Sequence, residues 1–134
     1  MSQVQSPQDP FKILLVENSR TARAILLRQL EGKGYVAEAI GSGKEAIEAI
    51  QSNDYSLVIM DIFLPEMNGY EAAQHIRAIE SPKSAIPIVA LTSSTSERDK
   101  KTCLEAGMNE YVIKSDDNNE LWAVLEKYKF KKTG

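Results

Sequence analysis

Four short apolar runs in this chain end on residues that can do chemistry. Ile13-Leu14-Leu15-Val16 runs into Glu17 and Asn18, and Leu57 to Met60 runs into Asp61. Ile86 to Leu91 runs into Thr92 and Ser93, and Tyr111-Val112-Ile113 runs into Lys114. A carboxylate at the end of a buried run is costly to desolvate unless partners meet it. The other run ends carry suitable partners. Two acids at one rim can hold a hard cation such as Mg²⁺ through oxygen ligands. A carboxylate is also a nucleophile toward phosphorus, which would make Asp61 an aspartyl-phosphate. The cation and a lysine would neutralise the phosphoryl oxygens during transfer, and the Thr92 hydroxyl could donate to the new group.

This chemistry requires a fold that brings the run ends to one rim. The apolar runs show no alternation, as in strands covered on both faces. Between them lie helical stripes: Ala22, Leu26 and Leu30 within 19–33, then Ala46, Ile47 and Ile50 after Ser42 and Glu45, which match a capping box. Ala72, Ala73 and Ile76 mark a helix over 70–79 after Gly69. Ser94 with Glu97 is expected to cap a fourth helix ending at Gly107, and Leu121, Leu125 and Tyr128 stripe a fifth. Gly34 supplies a stop for the first helix. Tyr35 to Ile40 is a more mixed second strand, as at a sheet edge. The pattern is βα five times, which predicts an α/β fold with a doubly wound five-stranded parallel sheet of order 2-1-3-4-5, flavodoxin-like. Sites in such folds form at the carboxyl ends of the strands, where Glu17, Asp61, Thr92 and Lys114 would meet.

Composition narrows the function classes. The 134 residues suit one domain with a real core. A net charge of −3 and a pI near 5.2 speak against nonspecific nucleic-acid binding. No apolar run approaches the ~20 residues of a membrane helix. The single cysteine, Cys103, permits no internal disulfide and fits a cytoplasmic setting. Residues 1–10, MSQVQSPQDP, read as a flexible leader without a targeting core, 11–130 as the domain, and 131–134 as a basic tail.

The stretches ILLVEN (13–18), VIMDIFLPEMNGYE (58–71), IVALTSS (88–94) and YVIK (111–114) together resemble a receiver domain of two-component response regulators, over about residues 11–130. The resemblance implies a signalling switch, not an enzyme in the usual sense. A histidine kinase or histidine phosphotransfer protein would give a phosphoryl group to Asp61. Thr92 matches the switch hydroxyl, Lys114 the salt-bridging lysine and Tyr111 the aromatic that swings inward. Glu17 and Asn18 match the acidic pair, and the Phe63 backbone carbonyl matches a further ligand for Mg²⁺. Phe63 and Ser94 match positions that tune loss of the phosphoryl group. Output would pass to a protein partner through the face of the fourth helix, fifth strand and fifth helix, near which Trp122 is expected, with no nucleic acid or membrane involved.

Two departures bear on mechanism. Asn18 stands where the family usually has a second aspartate, so Mg²⁺ binding is expected to be weaker by one charge. Ser115 stands where a proline with a cis bond is common. A cis bond before a non-proline costs ~3–4 kcal/mol, so the Lys114–Ser115 bond is expected to be trans.

Rival readings remain on the same residues. The chain could be a pseudo-receiver, a binding module working without phosphorylation. A haloacid-dehalogenase-type phosphatase would want an acid where Phe63 stands, and a flavodoxin would not put Glu17-Asn18 in its phosphate loop. Gly41-Ser42-Gly43-Lys44 is no P-loop, since Glu38 and Glu45 replace its first glycine and its final hydroxyl. His75 reads as a surface or half-buried residue. Cys103 reads as a small buried hydrophobe, and Tyr111 could be a packing residue alone.

Overall fold

The computed structural model describes residues 11–133; the proposed leader lies outside the described residues. Five strands, β1 (Lys12–Val16), β2 (Val36–Ile40), β3 (Leu57–Met60), β4 (Ile88–Thr92) and β5 (Glu110–Ile113), alternate with helices α1 (Arg20–Gly32), α2 (Gly43–Ser52), α3 (Gly69–Arg77), α4 (Glu97–Glu105) and α5 (Asn119–Thr133). A 3₁₀ turn, Pro82–Ala85, precedes β4. All pairings are parallel and the order is β2-β1-β3-β4-β5, as the alternation of elements predicts. The mixed strand β2 takes the edge.

The continuous apolar runs are explained by two cores. Successive strand side chains point to opposite faces. Leu14, Val16, Val58, Met60, Ile88 and Ala90 pack with α2, α3 and α4. Ile13, Leu15, Leu57, Ile59, Val89 and Leu91 pack with Leu26 and Leu30 of α1 and Leu121 and Leu125 of α5. Each run therefore needs apolar residues at every position, and each run end falls at the same rim.

Local signals set the helix starts. Ser42 caps α2 by accepting from the Glu45 amide at 3.1 Å, while Glu45 Oε1 accepts from the Gly41 amide. The reciprocal capping box is instead at α3, where Asn68 Oδ1 accepts from Glu71 N and Glu71 Oε1 from Asn68 N. The cap of α4 is Ser96, not Ser94: its hydroxyl oxygen accepts from the Asp99 amide, and Ser94 stays in the loop with other partners. Gly34 and Gly107 have φ of +90° and +106°, the left-handed turn that ends α1 and α4. The last helix continues through Thr133, past the expected domain end at residue 130.

Candidate functional site

Three of the charged run ends meet at the carboxyl edge of the sheet. Asp61 follows β3, its amide donating to Val16 O of β1 at 3.1 Å, and its side chain is 12% exposed. Glu17 follows β1 and is 5% exposed. Lys114, just after β5, places Nζ 3.1 Å from Glu17 Oε1 and 3.8 Å from Asp61 Oδ2. The closer partner of the lysine is thus Glu17. The turn after Asp61 holds it in place: Phe63 N donates to Asp61 Oδ1 at 2.9 Å. Gly69 comes so near that a Cβ there would lie 2.6 Å from Asp61 O, so only glycine lets α3 start this close to the acid.

Two carboxylates share one ammonium here, which leaves the rim short of positive charge. Burial raises the Asp61 proton affinity most; the Phe63 amide and Lys114 lower it, and the Glu17 carboxylate raises it again. Glu17 is anchored by Ser19 N, which donates to Oε2 at 2.9 Å, and its carbonyl accepts from Arg23 Nη1 at 3.0 Å. Asn18 is exposed and its Nδ2 donates to Gly41 O at 3.3 Å, tying the loop after β1 to the loop after β2. Among the described residues no group of three or more His, Cys, Asp or Glu side chains is placed to hold a metal. The oxygen donors that the structure brings together here are the Glu17 and Asp61 carboxylates, on either side of Lys114. An all-oxygen set around an excess of negative charge fits a hard cation, with one charge fewer than a third acid would provide.

Thr92, at the end of β4, is fully buried, and its Oγ1 accepts from Ser94 N at 3.1 Å. Tyr111 OH donates to Ser94 O at 2.9 Å, and Ser94 Oγ donates to Asp99 Oδ2 at 2.5 Å. Tyr70 OH donates to the other oxygen, Asp99 Oδ1, at 3.2 Å. Sequence reasoning missed Asp99 and Tyr70. Ser96 and Asp99 stand three apart, as a serine cap and an acid do, but nothing in the sequence places Tyr70 beside them.

Among the described residues no peptide bond is cis, so Lys114–Ser115 is trans. The loop after Lys114 is fastened by side chains. Asn118, 8% exposed and with φ +52°, donates its backbone amide hydrogen to Ser115 Oγ, and its Nδ2 donates to Gln29 Oε1 of α1 at 3.0 Å. Trp122 of α5 lies on this side, its Nε1 donating to Asp117 O, with Lys33, the cap residue of α1, over its ring. His75 is exposed in the last turn of α3, and Cys103 is fully buried with its thiol pushed up to about 12 by burial.

A concavity of about 240 Å³ beside the rim is lined in part by Glu17, Ile25, Lys114 and Asn118. A larger one, about 460 Å³, lies at the opposite edge of the sheet among Phe11, Tyr55, Lys83 and Tyr128, far from the acids.

The family model of the response regulator receiver domain matches residues 13–126. The chain belongs to that family. The receiver is 39% identical over 113 residues to hybrid signal transduction histidine kinase B of Dictyostelium discoideum, covering 77% of this chain and 6% of that protein. It is 32% identical to the Escherichia coli transcriptional regulatory protein HprR, covering 84% of this chain and 49% of the relative. The receiver thus spans from a small fraction to about half of these curated relatives. In structure it is similar to the receiver domain of sensor histidine kinase PA1611 from Pseudomonas aeruginosa, which carries a magnesium ion in its active site cleft. The TM-score is 0.80 at 33% identity, covering 89% of this chain and 97% of that one. Receivers of hybrid kinases and of regulators are the signalling switches of two-component systems, and this chain is a receiver domain of that kind.

Proposed function

We propose that this receiver takes a phosphoryl group from a phosphohistidine onto Asp61. The observation that carries the proposal is the Asp61 carboxylate, nearly buried at the sheet's carboxyl edge with Lys114 3.8 Å away. An Asp61 oxygen attacks phosphorus, the P–N bond to the donor imidazole breaks, and the imidazole leaves with the electron pair. Lys114 sits between Glu17 and Asp61 and can follow charge from the carboxylate to the phosphoryl oxygens. Glu17, Asp61, the Asn18 oxygen and the Phe63 carbonyl would hold Mg²⁺, which would supply further positive charge to the phosphoryl oxygens when bound. Its binding is weakened by the neutral side chain of Asn18. Thr92 gives its hydroxyl to the phosphoryl group, Tyr111 follows the loop inward, and Phe63 and Ser94 tune loss of the group.

The donor is a histidine kinase or a histidine phosphotransfer protein, seated beside α1, where Ile25 is 55% exposed next to the cleft that reaches Glu17 and Lys114. Output runs through the face of α4, β5 and α5 to a downstream protein, not to nucleic acid or membrane. Among the described residues no helix is long and apolar enough to cross a membrane. With phosphohistidine partners goes a cytoplasmic location.

A pseudo-receiver that never takes phosphate is the second reading. It is favoured by Asn18, which leaves only two carboxylates at the rim and spends its amide on Gly41. A Mg²⁺ titration with and without beryllofluoride, read by amide NMR, separates the two. The expected result is saturable, Mg²⁺-dependent shifts around Asp61, Thr92 and Lys114 that vanish in Asp61→Ala. Silence at millimolar Mg²⁺, cured by Asn18→Asp, favours the pseudo-receiver.

A further inference from the structure

We infer that Asp99 is a positioning residue: through Ser94 it latches Thr92 in the arrangement in which its hydroxyl oxygen faces a backbone amide, and so sets how readily the receiver enters its phosphorylated form. The inference rests on the phospho-acceptor reading of Asp61.

Every polar group of Ser94 is engaged. Its N–H donates to Thr92 Oγ1 at 3.1 Å, its carbonyl accepts from Tyr111 OH at 2.9 Å, and its Oγ accepts from Ser96 N at 3.2 Å while donating to Asp99 Oδ2 at 2.5 Å. The last bond is charge-assisted and at the short end of its class, which makes it the strongest tie on the loop. Asp99 is itself fixed from two further directions. Its amide donates to Ser96 Oγ, the cap of α4, and its second oxygen accepts from Tyr70 OH at 3.2 Å.

Tyr70 belongs to the first turn of α3, whose start at Gly69 is packed against the Asp61 backbone. One carboxylate therefore joins α3, the loop after β4 and the first turn of α4.

Thr92 Oγ1 accepts from Ser94 N, so any displacement of the Thr92 side chain toward a phosphoryl group on Asp61 strains that bond unless Ser94 moves with it. Moving Ser94 stretches or breaks the bond to Asp99 and disturbs the Tyr111 bond to Ser94 O. Two tyrosines bear on this junction: Tyr111 at the Ser94 carbonyl and Tyr70 at the acid that holds the Ser94 hydroxyl. Loss of the Asp99 tie should free Ser94, and with it Thr92 and Tyr111, at once. A single hydrogen bond to a charged group that is present in one state and absent in the other shifts an equilibrium about tenfold or more.

The test is a set of variants in the full chain, Asp99→Ala, Asp99→Asn, Tyr70→Phe and Ser94→Ala, titrated with beryllofluoride at fixed Mg²⁺. Amide hydrogen exchange at Ser94 and the Tyr111 ring signals are recorded first without ligand. Asp99→Ala is expected to speed Ser94 exchange, to shift the Tyr111 signals toward their loaded positions, and to lower half-saturating beryllofluoride about tenfold. Asp99→Asn, which keeps one oxygen acceptor, should keep part of the latch and so show a smaller effect than Asp99→Ala, and Tyr70→Phe should show a smaller shift of the same sign. Adding Asp99→Ala to Ser94→Ala should bring almost nothing further, because both cut the same bond.

A lowered melting temperature with unchanged Ser94 exchange and Tyr111 signals would overturn the latch, leaving Asp99 a helix-start residue only. Where the parent chain responds to beryllofluoride, an unmoved half-saturation point in Asp99→Ala also overturns it. Where the parent chain fails to respond, the phospho-acceptor reading is what has failed, and the ligand-free exchange still decides the latch.

Discussion

Two charged clusters lie at opposite edges of the same sheet, and they are built to different rules. Toward the amino ends of the strands, Arg77 of α3 is a staple. Its Nε donates to Gly107 O at 2.9 Å, Nη1 to Ser84 O and Ile86 O at 2.7 Å, and Nη2 to Asn109 Oδ1 at 2.8 Å. Asn109 Oδ1 also accepts from the Ile88 amide, which joins α3, the 3₁₀ turn, β4 and the end of α4. Burial lowers the proton affinity of this guanidinium, yet nearly all its donors are matched by oxygens without formal charge. At the carboxyl edge, Glu17 and Asp61 crowd against one lysine at 3.1 and 3.8 Å, and acid charge is left over. A satisfied charge holds a fold together. An unsatisfied one stores free energy that a ligand can release.

Breaking the staple should give the largest effect. Arg77→Ala takes the donor from three part-buried carbonyls, those of Ser84, Ile86 and Gly107, and is expected to cost about 3 kcal/mol in urea unfolding. At low temperature, beryllofluoride shifts around Asp61 should persist in that variant. Loss of the rim response in a still-folded Arg77→Ala protein would erase the contrast between the two edges.

The contrast sharpens if the rim is given still more charge. Asn18→Asp adds a third acid beside Glu17 and Asp61 and should tighten Mg²⁺ binding about tenfold, measured by NMR or calorimetric titration. Without metal, the same change should lower stability, since like charges then face each other. A variant that binds Mg²⁺ no better would mean that the Asn18 position does not face the cation.

The smallest effect is expected from removing charge. The folded chain raises the Asp61 proton affinity, mainly by burial, so the folded state binds that proton more readily than the unfolded chain does. Stability from this group therefore falls as pH climbs from the ordinary carboxylate range through the higher folded value. Asp61→Asn carries no such cost and should be about 1 kcal/mol more stable than the parent at pH 7. The advantage should shrink as pH drops into the ordinary carboxylate range, where both forms are neutral. Denaturant unfolding across pH checks the sign; a less stable Asp61→Asn would mean that Lys114 outweighs the burial.

Much of this contrast is legible in the sequence for one edge and invisible for the other. The rim residues announce themselves because each ends a continuous apolar run, and parallel strands bring run ends together whatever the loops do. The trans bond after Lys114 follows from Ser115 in the same way, from local covalent chemistry. Arg77 gives no such signal. It sits in the last turn of α3, where a basic residue is ordinary, and its four oxygen partners come from residues 84, 86, 107 and 109. The misplaced cap of α4 has a related cause. Ser94 and Ser96 both stand three before an acid, and only the engagement of Ser94 by Thr92, Tyr111 and Asp99 decides between them. Trp122 has one local and one distant partner, the Asp117 carbonyl and Lys33, and sequence spacing shows only the first.

The sequence by itself determined the five βα units, the sheet order and the rim on which Glu17, Asp61, Thr92 and Lys114 fall. Hydrophobic period and strand alternation are local, and right-handed crossovers leave little freedom in assembling them. Only the tertiary structure decided that Lys114 lies nearer Glu17 than Asp61, that Asn18 is tied to Gly41, and that Asp99 joins Tyr70 to Ser94. Those choices depend on ångström-scale distances between side chains far apart in the chain, where hydrogen bonding and Coulomb energy change steeply and sequence spacing carries no distance at all.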